Sequence, residues 1–352
     1  MCSSDLASFA KALALKPGAA EVWAAHGNAL ARLNRREAAV ESFGKSLASK
    51  SGQLEVLSWR SDLLLQLRRY DEAVRDYRAI LAIDPARKYV LGGLAFANLV
   101  LCDWRAVEAD SEKIAGGLRA GEKIAAPFHG LALPGLTAGD TLSIARRWSR
   151  EEFPSSAQPL WKGERYGHKR IRVAYLSANF NQHAVAQLMA GVFEHHDRTR
   201  FETSAFSFGP DDGSAMRTRL TRAFDRFEDL RENGDADAAA MLKSMEIDIA
   251  VDLMGYTEGC RPGILALRPA PVQVTYLGYP NTTGLKTIDY RLSDAWADPP
   301  GESDELCTEK LVRLPRGAWS FRPSDFAPDV APRPYLKNGY VTFGSFNALS
   351  KM

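Results

Sequence analysis

YDEAVRDYRAILAIDP, running from Tyr70 to Pro85, decides how the first third of the chain is built. Its bulky apolar residues recur at helical spacing and it ends on a proline, so it reads as one amphipathic helix followed by a turn. Moving 34 residues in either direction finds the same residue types. Trp23 falls in register with Leu57 and Leu91, and Ala39 with Ala73 and Val107. Phe43 matches Tyr77 ahead of it and Phe9 behind it, and Pro17 matches Pro85 with Ser51 between them. Small residues after turns and bulky ones at helical spacing fit two antiparallel helices per period.

A 34-residue period with this pattern resembles the tetratricopeptide repeat. The resemblance implies an α-helical superhelix whose concave surface holds an extended peptide or a partner protein. The first copy supplies only a second helix, from about Ala7 to Pro17, and Met1 to Leu6 offer no polar cap. The chain therefore reads as starting inside a longer array. The third copy drifts after Cys102-Asp103-Trp104. Residues 115–168 read as a helical bridge with loops at Ala125-Ala126-Pro127 and Phe153-Pro154-Ser155-Ser156, and Pro159 to Lys169 as a polar connection.

Composition narrows the function classes. With 352 residues, the chain exceeds one comfortable core. Apolar residues make up 45% and charged residues 25%, as in an ordinary globular protein. Lys+Arg is 45 against Asp+Glu 43, a net charge of +2, which gives no electrostatic case for nucleic acid or anionic lipid as the main partner. No apolar run approaches the roughly 18 residues of a membrane span. Cys2, Cys102, Cys260 and Cys307 are far apart and form no CxxC pair, so a zinc site or disulfide framework is not expected. Free thiols and the lack of a signal-peptide pattern point to the cytoplasm.

From Arg170 the period changes to strand, loop and helix. Arg172–Ser177, Phe201–Phe208, Ile247–Leu253, Val272–Leu277 and Tyr290–Leu292 read as strands. Val185–His195, Ser214–Phe227 and Ala236–Met245 read as helices between them. This alternation predicts a mostly parallel α/β sheet with its ligand site at the carboxyl ends of the strands. The loops there are polar or glycine-rich: Ser177–His183, Gly209–Gly213, Gly255–Gly259 and Gly278–Gly284. No GxGxxG, GxxxxGK[ST] or GxSxG follows a strand, which disfavours dinucleotide, P-loop and α/β-hydrolase chemistry. Asp211-Asp212 reads as a turn. His195-His196 reads as a solvated helix end, and Arg217, Arg219, Arg222 and Arg226 as a solvated helix face. Residues 321–339 read as an exposed, proline-rich connection.

Four blocks then carry a resemblance: ANFNQHAVAQLM (178–189), DLMGYTEGCRP (252–262), RPAPVQVTYLGYPNTTGL (268–285) and VTFGSFNALSKM (341–352). Behind tetratricopeptide repeats they resemble the O-GlcNAc transferase and SPINDLY family of protein glycosyltransferases. The resemblance implies a GT-B architecture of two Rossmann-like lobes with a nucleotide sugar between them and no metal or other cofactor. It divides the chain into repeats over 1–114, the bridge over 115–168, a first catalytic lobe over 169–336 and the start of a second over 337–352. The second lobe would be cut short at Met352, so the chain reads as a gene fragment, expected to be inactive alone.

The resemblance implies catalytic roles for two residues. His183 would face the sugar and the acceptor hydroxyl, as base or as orienter. Lys351, in FNALSK, would clamp the diphosphate as its bond to the sugar breaks. Tyr279, Pro280, Thr282, Thr283 and Asn347 would line the donor and acceptor cleft. The expected activity moves N-acetylglucosamine from UDP-GlcNAc to Ser and Thr hydroxyls of proteins held by the repeats. The YPNTTG and DYRLSDAWADPP blocks lean toward the SPINDLY branch and keep GDP-fucose as an alternative donor. A non-catalytic repeat scaffold is the other alternative.

Overall fold

The computed structural model describes residues 2–323 and 327–345. The chain divides into two compact units, one up to Ile144 and one from Ala145 onward. In the first, helices α1 (Cys2–Leu15), α2 (Ala20–Arg32), α3 (Arg36–Ser49), α4 (Leu54–Gln66), α5 (Tyr70–Ile83), α6 (Val90–Val100) and α7 (Trp104–Arg119) follow one another with short turns. The 34-residue period is written into the backbone as well. Asn34, Arg68 and Cys102 all turn between paired helices with positive φ, at 56°, 58° and 59°. Ala39, Phe43, Ala73 and Tyr77, the residues that set the register, are buried. Burying each ring contributes about 1.5–3 kcal/mol.

The division expected at residue 114 falls elsewhere. Ile114 and Leu118 of α7 share a core with Ala95, Ala125, Leu133 and Ile144, so packing continues through α8 (Pro127–Ala132) into α9 (Ala138–Glu152). The expected helical bridge is helical only as far as Glu152. Residues 153–170 form no helix and run along the second unit.

The second unit is a parallel sheet of seven strands in the order β3-β2-β1-β4-β5-β6-β7. Along the chain these are β1 (Ile171–Ser177), α10 (Ala184–Glu194), β2 (Phe201–Ser207), α11 (Ala215–Ala223), β3 (Arg226–Asp229), α12 (Asp235–Ser244), β4 (Ile249–Asp252), α13 (Pro262–Ala266), β5 (Val272–Thr275), β6 (Tyr290–Ser293), β7 (Lys310–Arg313) and α14 (Tyr335–Asn338). The two-residue period of β1 serves both faces. Val173 and Tyr175 pack with Phe180, Met189, Phe193 and Phe224 on the α10–α11 side. Ala174 and Leu176 pack with Leu230, Leu242 and Ile264 on the α12–α13 side. The strand order reverses direction between β1 and β4, and such a switch point opens a crevice at the carboxyl ends of the strands.

Several expectations need correction here. The predicted helix 214–227 stops at Ala223, and its tail becomes β3, an edge strand. The other edge strand, β7, was not anticipated; both are too short and polar to show a buried run. Arg217 is not solvated. Its Nη1 donates to Phe180 O at 3.1 Å and to Ser207 Oγ at 2.7 Å, and its guanidinium lies 4.4 Å from the Phe227 ring centre. His196 is half-buried, with Nε2 2.8 Å from the Tyr175 hydroxyl. The expected start of a second lobe at 337 falls on α14, and from residue 346 it lies outside the described residues.

The segment before β1 is held by an ion cluster that predicts a pH effect. His168 Nε2 lies 2.9 Å from Glu246 Oε2, and Nδ1 lies 3.1 Å from Asp248 Oδ2. Ionised carboxylates only accept, so both contacts are complete only when His168 is an imidazolium. The bond to Glu246 leads in raising its pKa above the ordinary value, with Asp248 adding to it and burial and Arg172 opposing. A raised folded pKa stabilises fully below the unfolded value of about 6.5 and loses that contribution as pH climbs through the folded value. The melting temperature of the protein is therefore expected to exceed that of His168→Gln at pH 6, with the gap narrowing as pH rises through the folded value. A gap that stays constant or widens with rising pH contradicts this.

Candidate active site

Asp252 ends β4 beside the switch point. Its carboxylate accepts from Met254 N at 3.0 Å and Gly255 N at 2.7 Å, and from Thr275 Oγ1 of β5 at 3.3 Å. Burial pushes its carboxyl up to about 6. The loop that this turn begins interlocks with the β5 loop. Gly255 has φ +55°, and a Cβ there would lie 2.2 Å from Tyr279 Cβ; a Cβ on Gly278 would lie 1.9 Å from Leu253 O. Only glycine allows both approaches.

The β1 loop joins the same rim. The Met254 thioether accepts from Ser177 Oγ, Ala178 N and Asn179 Nδ2, each at 3.4 Å. Gln182 N donates to Asp212 Oδ2 at 2.8 Å, which ties in the β2 loop. Asp211 and Asp212 thus form the expected turn, with Asp212 Oδ1 also accepting from Ser214 N. His183 is the N-cap of α10, exposed on the rim, and its Nδ1 accepts from Val185 N at 3.2 Å. The protein crowding one side of its ring lowers its pKa from the ordinary value. With Nδ1 accepting, the neutral ring carries its proton on Nε2.

The β5 loop differs from the sequence reading. Pro280 is exposed on the rim, and its carbonyl accepts from Arg291 Nη2 at 3.0 Å. Tyr279 is buried beneath the rim, edge-on to Tyr256 at 5.6 Å. Burial raises both phenols above their ordinary values. Thr282 and Thr283 were expected to line the cleft, but their hydroxyls turn inward. Thr282 Oγ1 donates to Glu309 Oε2 at 2.5 Å, and Thr283 bonds to Glu309 Oε1 through both its hydroxyl and its N–H, the latter at 2.8 Å. Tyr256 OH donates to Thr283 O at 2.6 Å and closes the loop from the other side. Lys351 and Asn347 lie outside the described residues.

The structure thus brings His183, Pro280 and the Asp252 turn to one rim. It adds Asp252, Met254 and Glu309, none of which the sequence reading selected. Asp252 left a signal, a carboxylate ending the buried run IAVD; Glu309 left none. Among the described residues no group of His, Cys, Asp and Glu could hold a metal ion.

Tetratricopeptide repeat profiles match residues 20–52 and 54–87, and the profile of glycosyltransferase family 41 matches residues 158–321. The chain carries tetratricopeptide repeats and a glycosyltransferase family 41 domain. Tomato SPINDLY (Solanum lycopersicum), described as a probable UDP-N-acetylglucosamine–peptide N-acetylglucosaminyltransferase, is 37% identical over 211 residues. That match covers 59% of this chain and 23% of the tomato protein. The Caenorhabditis elegans UDP-N-acetylglucosamine–peptide N-acetylglucosaminyltransferase is 33% identical over 201 residues, covering 54% of this chain and 17% of that protein. Among solved structures, a mutant O-GlcNAc transferase of Thermobaculum terrenum superposes with a TM-score of 0.65 at 26% identity. It covers 98% of this chain, which in turn spans 59% of that one. A helical repeat array followed by a parallel-sheet lobe accords with the fold class that the repeats and the sequence blocks implied.

Proposed function

We propose that the protein is an inverting glycosyltransferase that moves N-acetylglucosamine from UDP-GlcNAc to Ser and Thr hydroxyls of proteins recruited by the repeats. The observation that carries this reading is the family 41 domain, whose relatives are described as peptide N-acetylglucosaminyltransferases. Those descriptions favour UDP-GlcNAc over GDP-fucose as donor. In the reaction the acceptor oxygen attacks the anomeric carbon, the bond from that carbon to the diphosphate breaks, and the hydroxyl proton passes to solvent. His183 would orient the acceptor or the diphosphate as a donor through Nε2–H rather than take the proton, because its Nδ1 is committed to Val185 N. The charge left on the diphosphate would be met by Lys351, with no metal ion taking part. No helix among the described residues is long and apolar enough to cross a membrane. The unpaired thiols of Cys102, Cys260 and Cys307 support a cytoplasmic setting.

Incubating the full-length gene product with UDP-GlcNAc and a Ser/Thr-rich acceptor protein, in parallel with GDP-fucose, tests this directly. N-acetylhexosamine mass on the acceptor supports the reading, and deoxyhexose mass instead overturns the donor. No sugar from either donor leaves the repeat scaffold in its place.

A further inference from the structure

The rim loops meet at one half-buried side chain, Asp252, whose bonds run continuously to His183. Asp252 Oδ1 accepts from Met254 N, fixing the thioether of Met254 beneath the β1 loop. Met254 Sδ takes the Ala178 N–H at 3.4 Å. The Ala178 carbonyl accepts from Asn181 Nδ2 at 3.4 Å, and the Asn181 carbonyl accepts from His183 N at 2.8 Å. The other Asp252 oxygen takes Gly255 N and the Thr275 hydroxyl, and so sets the turn on which Tyr279 rests. We infer that Asp252 is a positioning residue that aligns the His183 loop with the β5 loop, acting through the thioether of Met254. This deepens the transferase reading and rests on it for the role of His183, while the alignment itself is a property of the lobe.

The chemistry requires a carboxylate. Two backbone N–H groups, one at each oxygen, need two acceptors, and an asparagine amide supplies one acceptor and one donor. In Asp252→Asn one of the two N–H groups loses its partner and the 252–255 turn must shift. Met254→Leu keeps the volume but removes the acceptor of the Ser177, Ala178 and Asn179 groups. Both variants should therefore disturb the β1 loop, one from each end of the path.

The test is nitrogen-15 histidine NMR on the full chain, with the His183 signals assigned through His183→Gln. The expected result is that Asp252→Asn and Met254→Leu both move the His183 Nδ1 resonance and raise its titration midpoint toward the free-imidazole value. His168, at the opposite end of the sheet, reports an intact lobe and should stay unmoved. In the transfer assay the same variants should lower kcat by about 10–100-fold, as expected for small misplacement of a reacting group, with KM for the donor within about twofold. Unmoved His183 signals in both variants, with His168 intact, would overturn the inference and leave Phe180 and Asp212 as the anchors of that loop. If Asp252→Asn does not fold, Met254→Leu decides alone. If the wild-type full-length gene product transfers no sugar, the transferase reading fails while the NMR result still decides the alignment.

Discussion

Replacing His183 with alanine is expected to lower sugar transfer by about 10²–10³-fold, the usual loss when one preorganised donor is removed from a reacting site. The variant should fold, because His183 is exposed and its structural work is confined to the cap of α10. Losing that cap costs about 1 kcal/mol. His183→Gln separates the two possible roles: a side-chain amide offers an N–H near the place of Nε2–H but cannot accept a proton at neutral pH. An orienting donor predicts partial recovery in the glutamine variant, whereas a general base predicts that both variants are equally inactive. The pH profile carries a second signature. The pKa of His183 is held below its ordinary value, so the neutral ring prevails at pH 7 and above, and activity should be level there. Below that range protonation turns Nδ1 into a donor facing the donor N–H of Val185, and the cap and the ring orientation are lost together. Steady-state rates between pH 5 and 8 for the three proteins would settle the role; an acid limb that persists in His183→Gln would assign it to another group, with Asp252 the first to consider.

What could be read from the sequence was what local spacing encodes. A 34-residue period survives in side chains and in turn geometry alike, as Asn34, Arg68 and Cys102 show. The central strands announced themselves because burial on both faces demands continuous apolar runs. The rim was legible as glycine-rich loops, since Gly255 and Gly278 are required by close backbone approach. Polar pairing was not legible. Thr282 and Thr283 look like cleft residues until Glu309, 27 residues beyond Thr282, is seen to occupy the hydroxyls. Arg217 looks like its exposed helical neighbours until Phe180 O and Ser207 Oγ are placed under it. Which distant partner meets a polar side chain is decided by the tertiary arrangement, and one sequence without its fold holds no periodic trace of that choice.

Glu309 therefore carries the second large expectation, a loss of stability of about 3–5 kcal/mol on substitution by alanine. Glu309 is 3% exposed and accepts from the Thr282 hydroxyl, the Thr283 hydroxyl and the Thr283 N–H. Alanine leaves these donors buried without an acceptor, and each orphaned group costs about 1–3 kcal/mol. The hydroxyls can rotate toward other acceptors, so the sum falls below three full penalties. Glu309→Gln should be milder, at about 1–2 kcal/mol, because one oxygen remains. Adding Thr282→Val and Thr283→Val to Glu309→Leu should recover little, because Thr282 Oγ1 also accepts from Gly284 N and Thr308 N, and Thr283 Oγ1 from Leu285 N, so valine leaves those N–H groups without an acceptor. Urea unfolding with an unchanged slope would measure each difference, and a Glu309→Ala loss below about 1 kcal/mol, within the range of an ordinary surface substitution, would show that the bonds to Glu309 do not hold this loop.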